Sequence, residues 1–135
     1  MFAKLDFVFS NLRKECDVIV ENDEDAHAHE PRECERSRML DVRHATLRAG
    51  HKRGLLIFRY NPDRFRVGPS PQKILIRDRD QILLMHMKNQ DAPPAGGLAI
   101  VYLFYDVDIR GNLLCLEDAD EEFKALVRPA VFHRK

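Results

Sequence analysis

The run Leu55-Leu56-Ile57-Phe58 constrains this chain more than any other stretch. Large apolar residues follow one another without a polar interruption, and the run is fenced by Gly54 on one side and Asn61-Pro62 on the other. A strand with one wet face would alternate. An unbroken run between turn signals is the pattern of a strand covered on both faces. Such a strand needs a layer of other structure on each side, so the sequence predicts a central sheet flanked by helices.

The rest of the chain supplies those layers. Residues 5–9 form a short apolar run holding one carboxylate, Asp6, and residues 17–20 form a second run rich in β-branched residues. The polar stretch 10–15 between them reads as a hairpin turn, so the chain is expected to open with two antiparallel strands. Pro31 resets the chain, and residues 33–50 read as a surface helix with a sparse stripe of Met39, Val42, Leu47 and Ala49, stopped by Gly50. Residues 61–71 read as a loop and 72–88 as a helix carrying Ile74, Leu75, Ile82, Leu83 and Met87. Pro and Gly make 91–97 a linker. An apolar strand is predicted over 98–106, a hairpin over 109–116 through Arg110-Gly111-Asn112, and a short acidic helix over 118–127. The expected fold is one mixed α/β domain over 1–135, with its core in 5–107 and the hairpin and short helix in 108–135.

Composition narrows the function classes. With 135 residues, 44% hydrophobic and 33% charged, the chain suits one globular core. No apolar run approaches the roughly 20 residues of a membrane helix, and no signal-peptide pattern opens the chain, so an intracellular protein, cytoplasmic or nuclear, without membrane contact is expected. The three cysteines, Cys16, Cys34 and Cys115, are too few and too scattered for a disulfide framework. Net charge is zero, with 22 basic and 22 acidic residues, which argues against a wholly nucleic-acid-coating surface. The charges are segregated, however: 21–35 is acid-rich, and Arg36, Arg38, Arg43, Arg48, Lys52 and Arg53 follow, then Arg59, Arg64 and Arg66. That basic set could track a nucleic-acid backbone, and a solvated helix face balanced by nearby acids explains it equally well.

The chemistry-bearing residues gather around the second predicted strand. Glu21 and Asp23 end it, and residues two apart share a face. Asp6 lies on the neighbouring strand. Three hard oxygen donors at one sheet edge are what Mg²⁺ or Mn²⁺ requires. His27, with Asp25 and His29 nearby, could serve as general acid or base near neutral pH. The run Asp23-Glu24-Asp25 taken alone equally suits a solvated loop, but it follows an apolar strand directly, where α/β sheets usually place their sites.

A resemblance adds to this. Leu5-Asp6-Phe7-Val8, then Val18-Ile19-Val20-Glu21-Asn22-Asp23-Glu24-Asp25-Ala26-His27, then Cys34-Glu35-Arg36-Ser37-Arg38-Met39, then Leu56-Ile57-Phe58-Arg59-Tyr60-Asn61-Pro62-Asp63 resemble the restriction-endonuclease-like PD-(D/E)XK superfamily. Within it, the order of parts is similar to very-short-patch-repair-like endonucleases of large DNA viruses, algae and protists. The likeness covers residues 5–68 well and 98–116 weakly. It implies a Mg²⁺- or Mn²⁺-dependent endonuclease acting on DNA. Asp6 would be the first metal-binding aspartate, and Glu21 and Asp23 would fill the (D/E)-x-K position, with Asp23 where the lysine usually stands. His27 would lie beside the scissile phosphate as general base or phosphate contact. Arg59 would hold a phosphate oxygen, and Arg36, Arg38 and Arg64 would join it in binding nucleic acid.

Two other readings stay open. The absent lysine also suits a catalytically degenerate module of the same fold that binds nucleic acid or a protein partner. His27, His29 and Cys34 could instead build a transition-metal site. Elsewhere the structural explanations lead. Asn61-Pro62-Asp63 is a turn motif first, Tyr102, Phe104 and Tyr105 are packing residues, and His44, His51, His86 and His133 are surface residues.

Overall fold

The structure, a computed structural model, describes residues 7–9, 12–22 and 53–129. Its frame is a four-stranded mixed sheet made of β1 (Phe7–Phe9), β2 (Cys16–Asn22), β3 (Gly54–Tyr60) and β6 (Leu98–Leu103), in that spatial order. A separate two-stranded ribbon pairs β4 (Arg66–Val67) with β5 (Ser70–Pro71). Helix α1 (Ile76–Asn89) connects the ribbon to β6, and a short helix α2 (Glu121–Leu126) lies near the C-terminal end. The described residues form a small mixed α/β domain, and none of their helices is long and apolar enough to cross a membrane.

β1 pairs antiparallel with β2, as the polar stretch between them implies. β2, β3 and β6 then run parallel in unbroken register. That register aligns the side chains of three strands into rows. On one face the rows are Val18, Leu56 and Ala99, then Val20, Phe58 and Val101. On the other face they are Asp17, Leu55 and Leu98, then Ile19, Ile57 and Ile100. All seven residues of β3 are buried, which is what its continuous apolar run predicted.

Each face carries its own core. Ile74, Ile82, Leu83 and Met87, from α1 and the segment before it, pack on the first face, together with Phe65 and Phe104. The segment around α2 covers the second face with Leu116 and Phe123, and with the partly buried Leu113, Cys115, Leu126 and Val127. Gly54 makes the close approach that starts β3, since a Cβ there would stand 2.2 Å from the Pro93 carbonyl oxygen.

Several boundaries differ from those predicted. The second helix begins at Ile76, not residue 72, because the Gln72 amide donates to the Phe65 carbonyl at 3.0 Å and Leu75 is extended with ψ of 148°. The loop over 61–71 contains the β4–β5 ribbon. The last strand ends at Leu103, not residue 106, because Phe104 takes a left-handed φ of 67°. That turn breaks the period of two, so Phe104 packs edge-on against Tyr60 while Tyr105 packs against Tyr102 on the opposite face.

The expected hairpin over 109–116 is a tight turn instead. Asp108 and Asn112 close it through a 2.9 Å backbone hydrogen bond, with one bridge between Val107 and Leu113 before a 3-10 turn at Leu114–Leu116. Gly111 at φ of 88° reverses the chain too sharply for a longer ladder. The C-terminal helix is shorter than its acidic pattern implied, and its cap is explicit: the Asp120 carboxylate accepts from the Phe123 amide at 2.7 Å. The helix expected over 33–50 lies outside the described residues.

Candidate functional site

The second face of the sheet changes character along the strands. Its middle row is wholly apolar (Ile19, Ile57, Ile100), but the next row toward the C-terminal ends is Glu21, Arg59 and Tyr102. Strand register brings these three side by side: Glu21 opposite Arg59, and Arg59 opposite Tyr102. Adjacent strands lie about 4.8 Å apart, so a carboxylate, a guanidinium and a phenol become lateral neighbours. All three are buried, at 1%, 4% and 1% exposure respectively.

Burying a carboxylate and a guanidinium is unfavourable unless each finds compensation. Here residues of opposite charge stand opposite each other in the register of adjoining strands, and the Arg59 guanidinium carbon stands 5.9 Å from the centroid of the Tyr102 ring. Tyr102 is itself held edge-on by Tyr105, with ring centroids 5.0 Å apart. The row thus sets a buried carboxylate and a buried guanidinium on adjoining strands, the guanidinium backed by an aromatic ring, where the parallel strands end. That is the usual location of sites in sheets of this kind.

Just past β3, Asn61 is fully buried and works structurally. Its Oδ1 accepts from the Asp63 amide at 3.0 Å, and its Nδ2 donates to the Phe104 carbonyl at 2.8 Å. This ties the end of β3 to the turn after β6. Arg79 of α1 completes the clamp, since its Nη1 donates to the carbonyls of Asn61 at 2.9 Å and Asp63 at 2.7 Å, while Nε donates to Ile74. Its guanidinium carbon lies 5.3 Å from the ring centroids of both Phe65 and Phe104. Burial pushes the Arg79 pKa below its ordinary value. On the same face, the Tyr60 hydroxyl donates to Asp80 at 3.0 Å; burial first, then that bond, raise its pKa to about 12.

At the other end of β2, Asp17 pairs with Arg53, whose guanidinium also donates to the carbonyls of Arg13 and Lys14 at 3.0 Å each. This pair fixes the start of the sheet and lies far from the Glu21 row along the strand.

Of the residues predicted to form the site, the structure brings Glu21 and Arg59 together. Arg64 lies exposed on the loop after β3. Asp6, Asp23, His27, Arg36 and Arg38 lie outside the described residues, as do His29 and Cys34 of the transition-metal alternative. Among the described residues, no three His, Cys, Asp or Glu side chains converge as a metal-holding group. Tyr102 is the member of the row that the sequence hid. Its place beside Arg59 follows only from the β3–β6 register. Arg79 was hidden too, inside the alternating charges Arg77-Asp78-Arg79-Asp80, where nothing distinguishes a buried arginine from a solvated one.

The chain matches no family model, and comparison with curated proteins and with solved structures returns no match.

Proposed function

We propose that this domain is a restriction-endonuclease-like nuclease that hydrolyses a phosphodiester bond in DNA with Mg²⁺ or Mn²⁺. The observation that carries the reading is the buried Glu21–Arg59 neighbour pair at the C-terminal ends of parallel strands. The resemblance of 5–68 to PD-(D/E)XK proteins supports it, as does the strand order: an antiparallel opening pair, then two parallel strands.

Glu21 supplies a hard oxygen donor at a strand end, which fits Mg²⁺ chemistry. Asp6, next in sequence before β1, and Asp23, next after β2, would complete the ligand set. A cation held there would stabilise charge on the reacting phosphate and acidify a water. His27 would accept the proton of the attacking water. Arg59 is too buried to clamp a phosphate along its whole length. Its role in the site is to hold positive charge beside Glu21, in an interior where the field toward an approaching phosphate is weakly screened. Tyr102 backs that guanidinium.

The test is plasmid nicking in Mg²⁺ by the parent, Asp6→Ala and Glu21→Ala proteins. The reading expects the parent to nick and both variants to lose activity by at least about 100-fold, the scale of removing one essential electrostatic group. Variants that nick as fast as the parent overturn it. A parent that binds duplex DNA yet never nicks supports the degenerate binding module instead.

A further inference from the structure

The loop that follows β3 frames an open recess of about 570 Å³, separate from the Glu21 row. Arg64, Arg66 and Lys73 line it, all exposed, and Asp106 is the one carboxylate among the described lining residues. The Asp106 carboxylate accepts the Arg66 backbone amide at 2.7 Å, so it has a structural task in holding β4 beside the turn after β6. Among the described residues that line the recess, the formal balance is three cations against one anion. In a chain of zero net charge, that is a local excess of positive charge.

The frame is rigid. Its inner wall is Phe65, 2% exposed and packed on Phe104 with centroids 5.8 Å apart. Backbone hydrogen bonds tie the loop on both sides: Gly68 to Val107 at 2.8 Å, Val107 to Arg66 at 3.0 Å and Gln72 to Phe65 at 3.0 Å. The buried Arg79 holds the stretch just before it through Asn61 and Asp63. Three cationic side chains are therefore carried on backbone already fixed before any ligand arrives, which lowers the ordering cost of binding. The loops bearing them leave the same end of the parallel strands that carries Glu21 and Arg59.

We infer that this recess is a docking site for backbone phosphates of a nucleic-acid duplex, contacted by Arg64, Arg66 and Lys73 alongside the segment being cut. The inference rests on the nuclease reading for its choice of ligand but not for its test. Contacts to phosphate position a duplex without reading its sequence, so binding here is sequence-independent and salt-sensitive. Three neutralised phosphates contribute a slope of up to about 2.7 to the dependence of log affinity on log salt concentration. Across a rise from 50 to 200 mM salt, that is about 40-fold in affinity.

The experiment is fluorescence anisotropy of a labelled 20-base-pair duplex with the full chain, at salt concentrations from 50 to 200 mM and with EDTA so that no cleavage enters. The Arg64→Ala/Arg66→Ala/Lys73→Ala protein, with exposed positions only, is compared with the parent and with Arg64→Lys/Arg66→Lys. Circular dichroism and thermal melting verify that all three are folded. The inference expects the triple alanine protein to bind at least tenfold more weakly at 50 mM salt, with the slope reduced by about 2 to 3, and the lysine variant to keep the slope. Equal affinity and slope in the parent and the triple alanine protein overturn it. Calorimetry with inorganic phosphate alone separates the two sources of the anion. Tight phosphate binding lost in the triple variant, with duplex binding unaltered, overturns the duplex assignment. Weakened duplex binding in a protein that never nicks DNA leaves the docking site standing and removes the nuclease reading.

Discussion

Arg59→Met takes the positive charge out of the middle of the Glu21–Arg59–Tyr102 row and leaves the 1%-exposed Glu21 carboxylate beside an apolar neighbour. Unit charges about 5 Å apart in an effective dielectric near 20 attract by about 3 kcal/mol. Removing one member of a buried pair costs about 3–5 kcal/mol, because the survivor keeps its desolvation penalty. A small domain has only about 5–15 kcal/mol in hand, so the single variant stands near the edge of folding. Glu21→Gln should lose a comparable amount. The Glu21→Gln/Arg59→Met protein buries neither charge, so its loss should be smaller than the sum of the two by roughly 2–3 kcal/mol. Urea unfolding of the four proteins in EDTA reads this coupling directly. Losses that add to within about 0.5 kcal/mol would show that the two side chains do not interact, and the electrostatic account of the row would fail.

Three further perturbations probe the frame around the site. Asn61→Ala strands the fully buried Phe104 carbonyl and takes the acceptor from the part-buried Asp63 amide, so urea midpoints should report a loss of about 2–4 kcal/mol. Gly54→Ala drives a methyl to 2.2 Å from the Pro93 carbonyl oxygen and 2.8 Å from that of Pro94, both backbone atoms; thermal melting should show at least about 1–3 kcal/mol of destabilisation. Tyr60 gives a pH dependence. Its folded pKa of about 12 exceeds the ordinary 10.0, so its contribution is complete below pH 10 and is lost as pH rises toward 12. Relative to Tyr60→Phe, the parent should lose on the order of 2 kcal/mol across that window, and a constant difference would contradict the burial and the Asp80 hydrogen bond as causes.

How much the sequence revealed depended on whether the signal was local. The run at 55–58 announced a strand buried on both faces, and β3 is buried at every position. The polar break after the first apolar run implied the antiparallel β1–β2 pair. Glu21 stood out because a carboxylate ended an apolar strand. The neighbours that give it meaning were not local. Arg59 faces Glu21, and Tyr102 faces Arg59, through two parallel registers that no turn in the sequence specifies. Alternation placed Tyr102 and Phe104 together, and the left-handed backbone at Phe104 separates them. The 72–75 stretch has helical composition, but its Gln72 amide is engaged by the ribbon loop, so the helix starts later. Tertiary hydrogen bonding overrode local propensity there, and the left-handed backbone at Phe104 cut β6 short.

Titration of the metal-free protein with Mn²⁺, followed by calorimetry and repeated with Glu21→Gln, asks whether Glu21 is a metal ligand. Saturable binding that Mg²⁺ displaces is expected, weakened at least tenfold in a variant that circular dichroism shows to be folded, because a charged ligand has been replaced by a neutral one. Absence of binding by the folded parent, or equal binding by parent and variant, would contradict the assignment of Glu21 as a ligand and with it the nuclease reading.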